Sequence, residues 1–383
     1  MVKMNSTESA AEKRKADEEE EREEPSKKPR QEEDGEEDDN AEQEGNGKKF
    51  QKRMVCVQMA YLGTNYSGLQ KNPGQSTIEG ELERALHDSK FISDLNFGHQ
   101  KKVHWNRAAR TDKGVHALGN VVGLKLLINP DVDMVEEVNK HLPSDIRVLD
   151  IKRVTKSFHA QQLANGRQYH YLIPTFVFES CEAPETSELI PEGKTENNKN
   201  FWEGCSSYTP TEEEIAKAKD FRVTDDVVER VSKLLSQYVG THSFHNFTSG
   251  KKKGDADAKR YIVSFKVGER VIFDGYEYLE LRVEGQSFLL HQIRKMIGLV
   301  VFTIRYKCDN KEKLSIVWSD KKVHIPLVPG VGLFLNKVLY RTYNKTNKHL
   351  QPLDFEDVKD KIEDFKTKMV HIVAMFPHSS LTQ

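Results

Sequence analysis

Residues Arg110-Thr111-Asp112-Lys113-Gly114-Val115-His116-Ala117 set one carboxylate between two cations, two positions before a glycine. A carboxylate among positive charges is held in its ionised form, and that form can attack carbon. Asp112 is therefore a candidate nucleophile. The plainer reading is an acid that caps a turn or pairs with its neighbour. Two more segments carry side chains suited to partner it. In Arg167-Gln168-Tyr169-His170-Tyr171, alternation puts Tyr169, Tyr171 and Ile173 on one strand face. Such tyrosines pack a sheet, or in a cleft stack on a base. In Gly285-Gln286-Ser287-Phe288-Leu289-Leu290-His291-Gln292-Ile293-Arg294-Lys295-Met296, Arg294 sits at the margin of an apolar stripe. There it either snorkels to water or pairs with a carboxylate, for which Asp112 is the candidate. Tyr61-Leu62-Gly63-Thr64-Asn65-Tyr66-Ser67-Gly68-Leu69-Gln70 is a glycine-bearing loop that either admits a close backbone approach or simply turns. Neither GxxxxGK[ST] nor GxGxxG occurs, so nucleoside triphosphates and dinucleotides are not implied.

The elements that must position these residues follow from periodicity. Met54 to Tyr61 alternates as a strand. Ser76-Thr77-Ile78-Glu79 is a capping-box signature, opening a helix with Ile78, Leu82, Ala85 and Leu86 inward. Lys102 to Ala109 and Gly119 to Ile128 read as strands joined by the Asp112 loop. Asn129-Pro130-Asp131 starts a second helix, and Ile146 to Val154 is a further strand. That order is the split βαβ, or ferredoxin-like, unit. Beyond it lie a strand at Arg167 to Pro174, a polar stretch at 182–220 with a short helix near Thr211 to Lys219, and a helix at Asp225 to Tyr238. Strands at Arg260 to Val267 and Tyr276 to Glu284 precede a helix at Phe288 to Ile304. A short helix near Lys313 to Ser319, a strand near Gly332 to Tyr340 and a C-terminal helix at Asp354 to Met369 complete the reading. The expected organisation is a tail (1–49), an N-terminal half (50–181), an insertion or linker (182–220), a C-terminal half (221–345) and a helical extension (346–383).

The 383 residues leave room for one large or two ordinary domains. Ten Lys/Arg against eighteen Asp/Glu give residues 1–49 a net charge of −8, which leaves +6 on the rest of a chain totalling −2. A basic body suits an anionic partner such as nucleic acid, although ordinary surface charge explains it equally. The tail lacks apolar periodicity and is expected to be disordered. Its clusters Lys13-Arg14-Lys15 and Lys27-Lys28-Pro29-Arg30 read as a bipartite nuclear import signal. A nuclear location is therefore expected, with mitochondrial and cytoplasmic pools as alternatives. No signal peptide is expected, because the first residues hold no apolar run. The best apolar segment, 288–304, is broken by His291, Arg294 and Lys295, so no membrane partner is expected. Four scattered cysteines suggest a reducing compartment and no zinc site.

Together with Thr241-His242-Ser243-Phe244-His245-Asn246-Phe247-Thr248, the segments quoted first resemble the TruA family of tRNA pseudouridine synthases, in its eukaryotic multi-site branch. The resemblance spans roughly 53–345, and the order of its five separated motifs makes it specific. One departure is Leu69, where many members carry Trp. The resemblance implies an α/β (α+β) fold: two ferredoxin-like halves forming a continuous mixed, mainly antiparallel sheet, with helices on one face and a central RNA-binding cleft. It implies Asp112 as nucleophile, Tyr169 stacked on the target base with a part in removing the C5 proton, and Arg294 paired with Asp112. Arg110 would hold the gap left by a flipped nucleotide. Lys113, His116, Tyr66 and Gln70 would also meet the substrate. Attack at C6 of the ring and at C1′ of the sugar are both compatible with these parts. Isomerising uridine oxidises nothing and imports no group, so no cofactor or metal is expected. The expected partners are tRNA, with mRNA and snRNA as further candidates, and the nuclear import machinery. Lys251, Lys252 and Lys253 are candidate phosphate contacts, or simply a solvated loop. Bacterial relatives pair as dimers, whereas the long insertion and tail here favour a monomer. The alternative function is a non-catalytic RRM-like RNA-binding protein, but no RNP1-type motif is found. A hydrolase of the glycosidase type would want a second acid, and its signature is absent from the matched segments.

Overall fold

A computed structural model describes residues 50–181, 211–308 and 315–375. The tail with its import signal, most of the 182–220 stretch and the start of the short helix read near Lys313 lie outside the described residues. The first half runs β1 (Gln51–Tyr61), α1 (Ile78–Asp88), β2 (Asn106–Arg107), β3 (His116–Ile128), α2 (Met134–His141) and β4 (Ile146–Arg153). The second runs β5 (Gly166–Pro174), α3 (Glu212–Asp220), α4 (Asp225–Ser236), β6 (Gly240–Ser243), β7 (Lys259–Phe273), β8 (Tyr276–Gly285), α5 (Gln292–Arg305) and β9 (Leu333–Leu339). Helices α6 (Arg341–Thr346) and α7 (Lys359–Met375) follow. Among the described residues no helix is long and apolar enough to cross a membrane.

The strands lie in the order β4-β1-β3-β9-β5-β8-β7-β6, with β2 also on β3. Within the first half the order β4-β1-β3-β2 is antiparallel throughout, the ferredoxin-like arrangement. The second half repeats it as β9-β5-β8-β7, with β6 added at the edge. The two are joined by one short parallel pairing of β3 with β9, at His116 opposite Phe334 and Ala117 opposite Leu335. The sheet is therefore continuous, mixed and mainly antiparallel, as expected. Because β3 starts four residues after Asp112, that seam is what carries the Asp112 loop.

Consecutive residues of β1 from Met54 to Tyr61 and of β3 from His116 to Leu124 are all buried. Neighbours on a strand point to opposite faces, so both faces of these strands are covered. The C-terminal extension supplies part of that cover. The Phe355 ring lies 3.1 Å from where a Cβ on Gly119 would stand, and the buried Lys152 donates to the carbonyl of Pro352 at 3.0 Å and to Asp357 at 2.7 Å.

Two local readings are corrected. Lys102 to Ala109 is not a strand over its length, because only Asn106–Arg107 pairs with β3. Upstream the chain turns, with Lys102 N–H donating to the His99 carbonyl at 2.9 Å and His104 in the left-handed region at φ 52°, which no strand accommodates. The capping box at Ser76–Glu79 is also not formed. Thr77 caps α1, accepting from Gly80 N–H at 3.3 Å. Glu79 turns inward instead, accepting from Trp105 Nε1 at 2.9 Å, Arg107 Nε at 2.5 Å and Lys71 N–H at 3.0 Å. A complete capping box stands at Thr211 and Glu214, heading α3, the short helix expected there.

Candidate active site

The Asp112 loop is built by backbone docking. Leu69 N–H donates to the Thr111 carbonyl at 3.1 Å, and Val115 N–H closes the turn onto the Asp112 carbonyl at 3.1 Å. Gly68, at φ +104°, passes so close that a Cβ there would lie 2.8 Å from the Thr111 oxygen. At Gly63 a Cβ would lie 2.2 Å from the Val115 oxygen. The glycines of the 61–70 loop thus let one backbone lie against another. Beneath them the Tyr61 and Thr111 hydroxyls share a hydrogen bond at 2.8 Å, and Asn120 Nδ2 donates to the Tyr61 hydroxyl at 2.9 Å and to the Ala109 carbonyl at 3.1 Å. The Asp112 loop is consequently pinned on both sides of Asp112.

Arg167, buried at the start of β5, binds the other walls. Its guanidinium donates to the carbonyls of Ala108 at 2.8 Å, Gln161 at 3.2 Å and Gln286 at 2.7 Å. It thereby links β5 to the run into the Asp112 loop and to the run into α5. Helix α5 begins at Gln292, later than Phe288, because His291 takes a left-handed backbone at φ +62°. Gly298 lets α5 approach the 326–331 segment, since a Cβ there would stand 2.1 Å from the Pro326 oxygen. On the same segment the Val328 carbonyl accepts from Arg294 Nε at 2.7 Å, and the Pro329 carbonyl accepts from the Tyr171 hydroxyl at 2.9 Å.

These pieces border an open cavity of about 330 Å³ lined by Ser67, Gly68, Leu69, Gln70, Asn72, Arg110, Thr111, Asp112, Lys113, His291 and Arg294. Its size is that of a small-ligand site. Asp112 is the only carboxylate among these lining residues, which also include the cations Arg110, Lys113 and Arg294. Its side chain is 31% exposed, open enough to meet a substrate.

Of the expected site residues, Asp112, Arg294, Arg110, Lys113 and Gln70 meet at this cavity. The expected Arg294–Asp112 ion pair is not formed among the described residues, and Arg294 Nε donates to the Val328 carbonyl. The two interact across the cavity: burial lowers the pKa of Arg294, while Tyr171 and Asp112 raise it. The ring that Asp112 does approach is that of His291, whose Nε2 lies 3.7 Å from Oδ2. Tyr169 does not line the cavity. It is 7% exposed and meets the Phe288 ring edge-on, with centroids 5.3 Å apart. Burial pushes its phenol up to about 12, with the Arg167 charge opposing and the Asp112 charge adding to the rise.

His116 and Tyr66 are not placed to touch a substrate. His116 is fully buried, its Nδ1 accepts from Gly63 N–H at 3.2 Å, and burial drives its pKa down to about 4. Tyr66 is buried too and donates to Asp145 at 2.8 Å. Both staple the 61–70 loop, His116 through Nδ1 and Tyr66 through its hydroxyl, while the buried His116 Nε2 has no hydrogen-bond partner among the described residues. Lys251 and Lys253 lie away from the cavity and pair with Asp257 at 2.5 Å and Asp320 at 3.4 Å. The Thr241–Thr248 segment is structural in its contacts. Phe244 and Phe247 pack on Trp318, while Asn246 donates to the Val317 carbonyl at 3.0 Å and accepts from Val323 N–H at 3.1 Å.

His291, Ser67 and Asn72 line the cavity without having been singled out by sequence. For His291 a signal existed. It breaks the apolar run 288–304 together with Arg294 and Lys295, at spacings of three and four, which put side chains on one flank. No group of three His, Cys, Asp or Glu among the described residues is placed to hold a metal ion.

A family model described as tRNA pseudouridine synthase matches residues 234–341, from the end of α4 through β9 and α5. The tRNA pseudouridine synthase 1 of Yarrowia lipolytica is 34% identical over 373 residues, covering 84% of this chain and 70% of that protein. The human pseudouridylate synthase 1 homolog is 36% identical over 323 residues, covering 83% and 68%. The tRNA pseudouridine synthase 1 of Saccharomyces cerevisiae is 34% identical over 366 residues, covering 82% and 66%.

Proposed function

The chain belongs to the tRNA pseudouridine synthase family, of the TruA type, and isomerises uridine to pseudouridine in tRNA; we propose that it does so with Asp112 as the nucleophile. The observation that carries this reading is a cavity whose lining holds a single carboxylate together with three cations. Backbone docking at Thr111 holds the acid in place. Hydrolysis by paired acids would need a second carboxylate there. A passive RNA-binding surface would have no use for a preorganised acid in a cavity.

In the reaction the C1′–N1 bond breaks and a C1′–C5 bond forms within one nucleotide. The uracil must stay in the site while it turns. The target nucleotide leaves its stack at a cost of a few kcal/mol. Arg110 and Lys113, both exposed at the cavity, take flanking phosphates and the vacated gap, and offset that cost. Arg294, anchored by Val328, supplies fixed positive charge opposite Asp112. Tyr169 lies under Phe288, so its ring meets the base only where Phe288 gives way. The lysines 251–253 contact RNA outside the cavity, Lys251 and Lys253 exchanging their acids for phosphate. Uridines of mRNA and snRNA offer the same ring and extend the same reading. The chain acts as a monomer and is carried into the nucleus by the basic clusters of its tail. Asp112→Asn tests the core of the proposal: pseudouridine formation is lost while folding and tRNA affinity persist, because the side chain's one close contact among the described residues is to His291 Nε2 at 3.7 Å. Turnover in that variant would remove Asp112 from the mechanism.

A further inference from the structure

Isomerising uridine moves a proton as well as a bond. When C1′ is transferred from N1 to C5, the hydrogen on C5 leaves as a proton, and N1 ends up carrying one. The balance closes with no co-reactant, provided that one group accepts at C5 and a proton is returned at N1. Besides Asp112, the titratable groups lining the cavity are Arg110, Lys113, Arg294 and His291. Arginine and lysine are already protonated near neutral pH and have no free lone pair. Tyr169 lies outside the lining, and a phenol pushed up to about 12 stays neutral. Asp112, once released from its covalent link, is the rival acceptor, but a carboxylate is ordinarily a weaker base than an imidazole.

We propose that His291 is the group that takes the C5 proton and returns it at N1, an inference that rests on the nucleophile reading above. The geometry suits the task. The side chain is 34% exposed, with Nε2 3.7 Å from Asp112 Oδ2, so a ring bound at Asp112 lies within the imidazole's reach. Its backbone sits at φ +62°, a strained conformation for a non-glycine residue and one that concentrates at functional sites. Burial lowers the pKa of His291, the Asp112 charge opposes this, and Arg294 and Lys295 add to the lowering. Lys113 and Arg110 are the other charges at the cavity. The imidazole is therefore neutral and able to accept near neutral pH.

The test uses the full chain and tRNA transcripts carrying ordinary or C5-deuterated uridine. His291→Gln lowers kcat by about 10²–10⁴-fold, leaves KM for tRNA in place and exposes a C5 deuterium isotope effect on kcat. His291→Gly suits the positive φ and leaves room for added imidazole, which restores turnover. The acid limb of the pH–rate profile, where a protonated His291 cannot accept, disappears in both variants. A fall in kcat with neither isotope effect nor imidazole rescue would overturn the proposal, as would an isotope effect confined to Tyr169→Phe. Asp112→Asn runs beside them. Its activity would sink the nucleophile reading, whereas its inactivity with an unaltered His291→Gln would sink only the proton-acceptor assignment.

Discussion

Gly68→Ala probes the docking that holds the nucleophile. Gly68 stands at φ +104°, where an alanine costs about 1–2 kcal/mol in backbone strain. The new Cβ would meet the Thr111 oxygen at 2.8 Å, which is backbone and cannot swing aside. Relief requires the two loops to part, weakening the Leu69 N–H bond to that same oxygen, worth about 1 kcal/mol. The local cost is thus about 2–3 kcal/mol. Asp112 is the next residue, so the displacement reaches the reacting atom. A misplacement near 1 Å lowers turnover on the order of 10²-fold. Single-turnover pseudouridine formation with enzyme in excess reads the effect on chemistry, and the urea midpoint reads the stability. Gly74→Ala is the control: φ is +72° but nothing lies within 4 Å of the new Cβ, so strain is introduced without collision. Gly74→Ala should lower stability modestly and keep the single-turnover rate. Equal losses of rate in the two variants, or full activity in Gly68→Ala, would refute the argument.

Two further outcomes are expected. His116 has an ordinary pKa of 6.5 when unfolded and about 4 when folded, so between those values the unfolded chain binds more protons and stability falls as pH drops. Its contribution from pH 7 to pH 5 is about 2 kcal/mol, and His116→Asn should flatten the pH dependence of the urea midpoint by that amount; parallel curves would refute the burial argument. Deleting residues 1–49 should leave turnover intact and abolish nuclear accumulation of a fluorescent fusion; unchanged accumulation would remove the import role from the tail.

What could be read locally was read well where the physics is local. The stripe Ile293, Met296, Ile297, Val300 and Ile304 identifies α5 because helical period and burial coincide there. Its start is displaced to Gln292 because nothing in the residue type of His291 announces a left-handed backbone. The capping box at Ser76 is absent because the buried Glu79 accepts from three donors, two of them on a segment more than twenty residues away. His116 and Tyr66 belong to the right loops, yet sequence does not say on which side of a loop a side chain points. The anchoring of Arg167 and Arg294 was invisible, since their acceptors are backbone carbonyls, which every residue carries alike.

Residue order alone determined the family, the two βαβ-type halves, the acid and the cations intended for it, because these depend on residue type and short spacing. The tertiary structure decided which groups stand around that acid. The parallel seam of β3 with β9 and the approach of α5 at Gly298 bring His291 to Asp112 and fix Arg294 on Val328 instead. Those contacts join segments distant along the chain, and a few tenths of an ångström of backbone clearance set them; no local pattern encodes such distances.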